Sequence, residues 1–185
     1  MIKIREITQK DVERVKYICK ETVPHKENFD ETSLEIISNT YASYYVREES
    51  ETCFGLEDDG ELVGYIICST SVKKFKKNFR EKDLQVIKKL NKASYFENWF
   101  IPFPYEVFRY TYPAHLHINL LDDYQGKGYG TKLLETLFDA LRKRNVKGVM
   151  LLASAENEGA IRFYQRNGFK KIVTAFGGVA MGKKL

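Results

Sequence analysis

Apolar and polar residues alternate from Ile2 to Ile7, the period of a half-buried strand. Thr8 and Asp11 then stand at capping-box spacing, with Asp in place of the usual Glu. Val12, Val15, Ile18 and Cys19 follow at helical intervals, which predicts a helix opening at Thr8. A second helix is expected over about 30–45, with Leu34, Ile37, Tyr41 and Tyr44 on one stripe. Residues 52–57 and 61–68 read as strands joined by the tight turn Asp58-Asp59-Gly60. Alternation returns over His115–Leu121, and Leu133, Leu134, Leu137, Phe138 and Leu141 make the apolar stripe of a helix over about 130–143. Residues 148–153 read as a buried strand, 157–166 as a helix ended by Asn167-Gly168, and Phe169 onward as one or two final strands.

Residues 73–112 break this rhythm, with a basic half followed by an aromatic half. Leu84, Ile87 and Leu90 predict one short helix there, and nine aromatic residues crowd into the eighteen from Tyr95 to Tyr112. The stretch reads as an insertion into a single domain spanning residues 1–185, a length large enough to bury a sizeable core. Charge follows the same division. Residues 73–92 hold nine Lys or Arg against two acids, so this stretch carries +7 of a net +5 and the rest of the chain carries −2. A solvated helix face accounts for such a run; holding acidic substrates or the phosphate of a nucleotide-bearing ligand are its functional readings. The acidic remainder argues against nucleic acid as a partner. No apolar run approaches the ~20 residues of a membrane span, and the first residues lack the apolar core of a signal peptide, so a cytoplasmic protein with no membrane partner is expected. Cys19, Cys53 and Cys68 are odd in number and far apart, which predicts free thiols and no metal site.

The most informative run is Tyr124-Gln125-Gly126-Lys127-Gly128-Tyr129-Gly130-Thr131, set between a strand and an amphipathic helix. Glycines allow a tight turn with several N–H groups pointing inward, and the helix adds the positive end of its dipole, so the turn suits a diphosphate. A simple glycine-rich connector is the plain alternative. A P-loop fails because no Gly-Lys-Ser/Thr closes the run, and a dinucleotide fingerprint fails because the third glycine comes one residue early.

Gln125-Gly126-Lys127-Gly128-Tyr129-Gly130 resembles the Gln/Arg-x-x-Gly-x-Gly turn of the GNAT acetyltransferases. Asn157-Glu158-Gly159-Ala160-Ile161-Arg162-Phe163-Tyr164, closed by Gly168-Phe169, is similar to that family's second motif, and the two occur in family order. The resemblance does not reach 73–112. It implies an α/β (α+β) fold, a mixed and mostly antiparallel sheet flanked by helices whose two central strands, about 115–121 and 148–154, splay apart to admit acetyl-CoA. It further implies that the pantetheine arm pairs with backbone at Ile118, Asn119 and Leu120, and that the diphosphate sits on the amides of Gln125, Gly126, Lys127, Gly128, Tyr129, Gly130 and Thr131. Asn157, Ala160, Ile161 and Tyr164 are spaced by three, four and seven residues and so share one helix face, from which Asn157, Ala160 and Tyr164 can meet the same ligand.

Acetyl transfer from a thioester to an amine needs a base for an amine of pKa roughly 10 and a proton for the departing thiolate. Tyr164 holds the family position of the proton donor; a buried structural ring is the alternative. His115 and His117 lie two apart on one strand face, and His117, nearer the expected thioester, is the favoured base, with His115 as a relay member. Ala114-His115-Leu116-His117 also looks like the paired-histidine strand of the arylalkylamine N-acetyltransferases. A histidine in this role is expected to titrate near or somewhat above pH 6. Satisfied sheet histidines are the alternative, with Glu97, Glu106 and Asp122 as rival bases. The expected function is an acetyl-CoA-dependent N-acetyltransferase acting on an amine of a small molecule or peptide, the alternative a non-catalytic acyl-CoA-binding module. The aromatic stretch gives a lean towards core or a homodimer interface.

Overall fold

A computed structural model describes residues 1–185. Seven strands form one sheet: β1 (Lys3–Glu6), β2 (Cys53–Asp58), β3 (Glu61–Ser69), β4 (Ala114–Leu120), β5 (Gly148–Ser154), β6 (Lys170–Ala175) and β7 (Gly178–Lys184). Their order is β1-β2-β3-β4-β5-β7-β6, and every neighbouring pair is antiparallel except β4–β5. The β2–β3 hairpin closes through Asp59 and Gly60, both at positive φ, as a two-residue turn that follows strand twist requires.

Helix α1 (Val12–Glu21) starts after a single 3₁₀ turn over Gln9–Asp11, where the Asp11 carboxylate accepts from the Thr8 amide at 2.8 Å. The second expected helix exists but is longer and interrupted: α2 (Glu31–Ser38), a π turn over Asn39–Ser43, then α3 (Tyr44–Glu48). A π turn adds a residue to one turn and rotates everything after it. The buried apolar set is therefore Leu34, Ile36, Ala42, Tyr44, Tyr45 and Val46, while Ile37 and Tyr41 of the expected stripe are half-buried.

The 73–112 stretch departs further from expectation, since it is helical nearly throughout: α4 (Val72–Asn78), α5 (Leu84–Leu90), α6 (Lys92–Asn98) and α7 (Phe103–Phe108). Ser71 accepts from the Lys74 amide in the first turn of α4, Asn91 from the Ala93 and Ser94 amides in the first turn of α6, and Pro102 leads into α7. Val72, Phe75 and Phe79 are the apolar anchors of the basic half, all buried, and the lysines between them hid their spacing. The basic side chains lie largely on the solvated side.

Helix α8 (Tyr129–Lys143) buries Leu133, Leu134, Leu137, Phe138 and Leu141, and α9 (Glu158–Arg166) buries Ile161. These two cover one sheet face; α1 to α7 cover the other. β4 pairs with β3 from Leu120 to His115, but with β5 only at Ala114↔Val149 and His115↔Met150. Beyond those two registers the central strands part. No helix is long and apolar enough to cross a membrane.

Candidate acyl-transfer site

The chain leaves the C-terminal end of β4 and turns at once into the glycine run. Gly126 and Gly128 have φ of +70° and +83°, in the left-handed region, and a Cβ on either would meet nothing within 4 Å. Their requirement is conformational, and the space beside them is open. Gly130 differs: a Cβ there would lie 3.0 Å from Phe163 Cζ, so it lets α8 and α9 approach. Gln125 is bound internally. Its amide donates to the Asp122 carbonyl, and its side chain donates to the Leu120 carbonyl at 2.8 Å and to Asp122 Oδ1 at 2.9 Å. The expected row of free amides therefore begins one residue later than Gln125. From Gly126 through Lys127, Gly128, Tyr129 and Gly130 to Thr131, no backbone carbonyl or side chain takes the N–H groups, and they open α8.

The β4 edge from Ile118 to Leu120 faces the gap with no strand partner on that side. The Asn119 side chain is already committed, since its Nδ2 donates to the Thr22 hydroxyl at the end of α1. Asn157 is not a helix-face residue: it caps α9, and its Oδ1 accepts from the Ala160 amide at 2.9 Å. Only its Nδ2 remains for a ligand, because an N-cap lies outside the helical spiral.

Tyr164 is half-buried on α9, its ring against Phe163 and Phe169 at centroid distances of 5.3 and 5.7 Å. Burial pushes its hydroxyl up to about 12, so it stays protonated at neutral pH. Tyr65 of β3 lies near it, and burial likewise raises that hydroxyl. Tyr65 stands opposite Asn119 in the ladder, on the histidine face. Alternation of Tyr65 with Ile67 in that strand was the available sign that it belongs there.

His115 and His117 share that face, as their spacing requires, opposite Ser69 and Ile67. Their surroundings overturn the expected titration near pH 6. His115 is fully buried, stacked on Tyr105 at 4.0 Å and edged by Phe75 and Tyr45, and neither ring nitrogen has a partner. Burial holds it well below 6.5. His117 meets Tyr41 and Tyr45 edge-on at 5.4 and 5.2 Å, and burial lowers it to about 4. Both rings are neutral at pH 7, and no protein hydrogen bond links them. Among the rival carboxylates, Glu106 is held by Lys76 at 2.7 Å, Asp122 accepts from Gln125, and Glu97 is exposed on α6.

One buried carboxylate escaped notice in the sequence. Glu49 accepts from the Tyr44 hydroxyl at 2.6 Å, the Ser69 hydroxyl at 2.7 Å, and the amide and hydroxyl of Thr70 at 2.8 and 2.9 Å. It ties the end of β3 to the helix whose Tyr44 and Tyr45 pack on Phe75. A lone Glu between helix and strand carries no pattern that could have marked it.

A family model described as Acetyltransferase (GNAT) family matches residues 15–169. Among solved structures, SsHAT superposes with a TM-score of 0.89 at 29% identity, over 99% of this chain and 98% of that one. The PaiA N-acetyltransferase of Thermoplasma acidophilum in complex with coenzyme A shares the fold, with a TM-score of 0.64 at 17% identity over 100% and 99% of the two chains. In sequence, an uncharacterized N-acetyltransferase of Methanocaldococcus jannaschii is 36% identical over 73 residues, 39% of this chain and 32% of that protein. N-alpha-acetyltransferase 30 of Schizosaccharomyces pombe is 34% identical over 50 residues, 27% and 33% of the two. The chain spans about a third of the length of the curated relatives it matches.

Proposed function

Because the chain belongs to the GNAT acetyltransferase family, we propose that it transfers an acetyl group from acetyl-CoA to an amine of a small molecule or peptide, the amine attacking directly. The observation that carries this is the row of unpaired amides from Gly126 to Thr131, at a helix N-terminus beside the open edge of β4. Such a row fits a diphosphate, and a free strand edge fits an amide-bearing pantetheine arm. Acetyl-CoA supplies the activated acyl thioester.

The chain's own residues supply the proton chemistry. Tyr164, kept protonated by burial, gives its phenolic proton to the departing sulfur. His117, kept neutral by burial, takes the amine proton and passes it outward. His115, walled in by rings with both nitrogens unpartnered, acts as a packing residue behind it.

Incubation with acetyl-CoA and a panel of amines and peptides, followed by thiol release and mass analysis of the amine, tests the reading. Amine-dependent release of CoA with an acetylated product is expected. CoA binding with no turnover across the panel would leave only an acyl-CoA-binding module, and absence of CoA binding would remove both.

A further inference from the structure

Residues 72–110 hold ten Lys and Arg against four acids, a net +6, while the rest of the chain sums to −1. The same segment concentrates large hydrophobic side chains that folding leaves in water: Phe96 and Phe100 are 68% exposed, Phe103 63% and Val107 54%. Soluble monomers seldom keep such a cluster exposed without a use for it. Acetyl transfer uses none of these side chains.

The two properties are joined. The Arg80 guanidinium lies 4.1 Å from the centre of the Trp99 ring and donates to the Trp99 carbonyl at 3.2 Å. Lys88 stands 5.1 Å over Tyr95, and Arg109 stands 4.5 Å over Tyr110. An open hollow of about 290 Å³, lined by Tyr95, Phe96, Trp99 and Phe100, thus adjoins an open polar one of about 340 Å³ lined by Lys73, Lys76, Lys77 and Arg80 together with Glu81 and Glu106. The exposed rings come from α6 and residues 99–103, with Arg80 and Lys88 held against the neighbouring Trp99 and Tyr95.

We propose that this surface docks on an anionic lipid layer, with Phe96, Phe100 and Phe103 entering the boundary between headgroups and acyl chains and the basic rim meeting lipid phosphates. Three observations favour lipid over other occupants. A second copy would bring one basic rim against another. A nucleic acid would use ring faces, but the exposed aliphatic side chains Val86, Leu90 and Val107 offer nothing to base stacking. A protein partner would have to supply a shaped, acid-rimmed pocket for each protruding ring, whereas a lipid boundary accepts them without prior shape. This is a surface contact, independent of any membrane span and of the acyl-transfer reading.

Trp99 is the only tryptophan, so its emission reports on the patch directly. The full chain is mixed with vesicles of phosphatidylcholine, with or without phosphatidylserine, and followed by co-sedimentation and fluorescence. The expected result is tenfold or greater preference for the anionic vesicles, weakening as salt rises, with a blue shift of Trp99 emission on binding. Lys88→Glu/Lys89→Glu should lower partitioning by at least about 25-fold at low salt, from about fivefold per lysine. Phe96→Ser/Phe100→Ser should remove the blue shift. These side chains are exposed, so thermal unfolding of the variants should match the parent. The proposal is overturned by any of three results: no preference for anionic vesicles, partitioning that ignores these substitutions, or a Trp99 shift that follows protein concentration or a single-stranded oligonucleotide instead of lipid.

Discussion

The segment from β4 to α9 and the helical segment from α4 to α7 meet at residues 108–114 yet differ in how their hydrophobic residues are used. Between Ala114 and Arg166 the helices α8 and α9 each bury a single face. The stripe of α8 packs on the sheet, and Gly126 and Gly128, free of packing, shape the turn that leads into it. Between Val72 and Phe108 the apolar residues serve two surfaces. Phe75, Phe79, Leu84, Ile87 and Tyr105 turn inward, Phe75 and Tyr105 against His115, while Phe96, Phe100 and Phe103 face water. Helix α7 shows the division within two residues, with Phe103 63% and Tyr105 1% exposed. One segment carries the candidate site, and the other packs Phe75 and Tyr105 behind it while presenting a surface of its own.

Gly128→Glu should break the first half of this comparison. It forces a side chain into a φ of +83°, at a strain of ~1–3 kcal/mol, and sets a negative charge where the diphosphate would rest. CoA binding by calorimetry should become undetectable in a folded protein; unchanged affinity would take the ligand away from this turn. Tyr164→Phe should lower turnover by ~10²–10⁴-fold with CoA affinity intact. An unaltered rate with chemistry limiting would return Tyr164 to a packing role.

Tyr105→Ala tests whether the helical segment holds the histidine wall. Removing a ring stacked at 4.0 Å on His115 should cost ~3–5 kcal/mol in urea unfolding. A loss below about 1 kcal/mol would mean that α7 is loosely attached. The histidines add a pH signature. Their folded pKa values lie below the unfolded value of 6.5, so below that pH the unfolded chain binds more protons. Stability should be full above pH 6.5 and fall as the pH drops towards about 4, by roughly 3 kcal/mol for His117. His117→Gln should flatten that part of the profile; an unchanged slope would mean that the ring is solvated. No limb of kcat/KM near pH 6 should arise from His117. Phe103→Ala, on the outward side of α7, should change stability by no more than ~0.5 kcal/mol, and a larger loss would blur the inner and outer division.

The α8 stripe, the β2–β3 hairpin and the glycine turn were legible because their rules are local: 3.6-residue spacing, a turn dipeptide, and glycine where φ must be positive. The shared face of His115 and His117 was equally legible, being the pleat of one strand. The helices of 72–108 were hidden because lysines interrupt the spacing of Val72, Phe75 and Phe79, and the π turn after Ser38 moved a stripe that periodicity alone placed elsewhere.

By itself the sequence determined which elements form outside residues 72–108, where the glycine turn lies, and which residues share one face of a strand. Only the tertiary structure decided the state of those residues. The neutrality of both histidines comes from rings delivered by Tyr41, Tyr45, Phe75 and Tyr105, which are distant from them in the chain, and desolvation has no local sequence signature. The commitment of Asn119 to Thr22, and the sorting of one aromatic stretch into a wall and an exposed ridge, were settled in the same way. Each depends on which surfaces meet when the helices dock, and that is a property of the assembled fold.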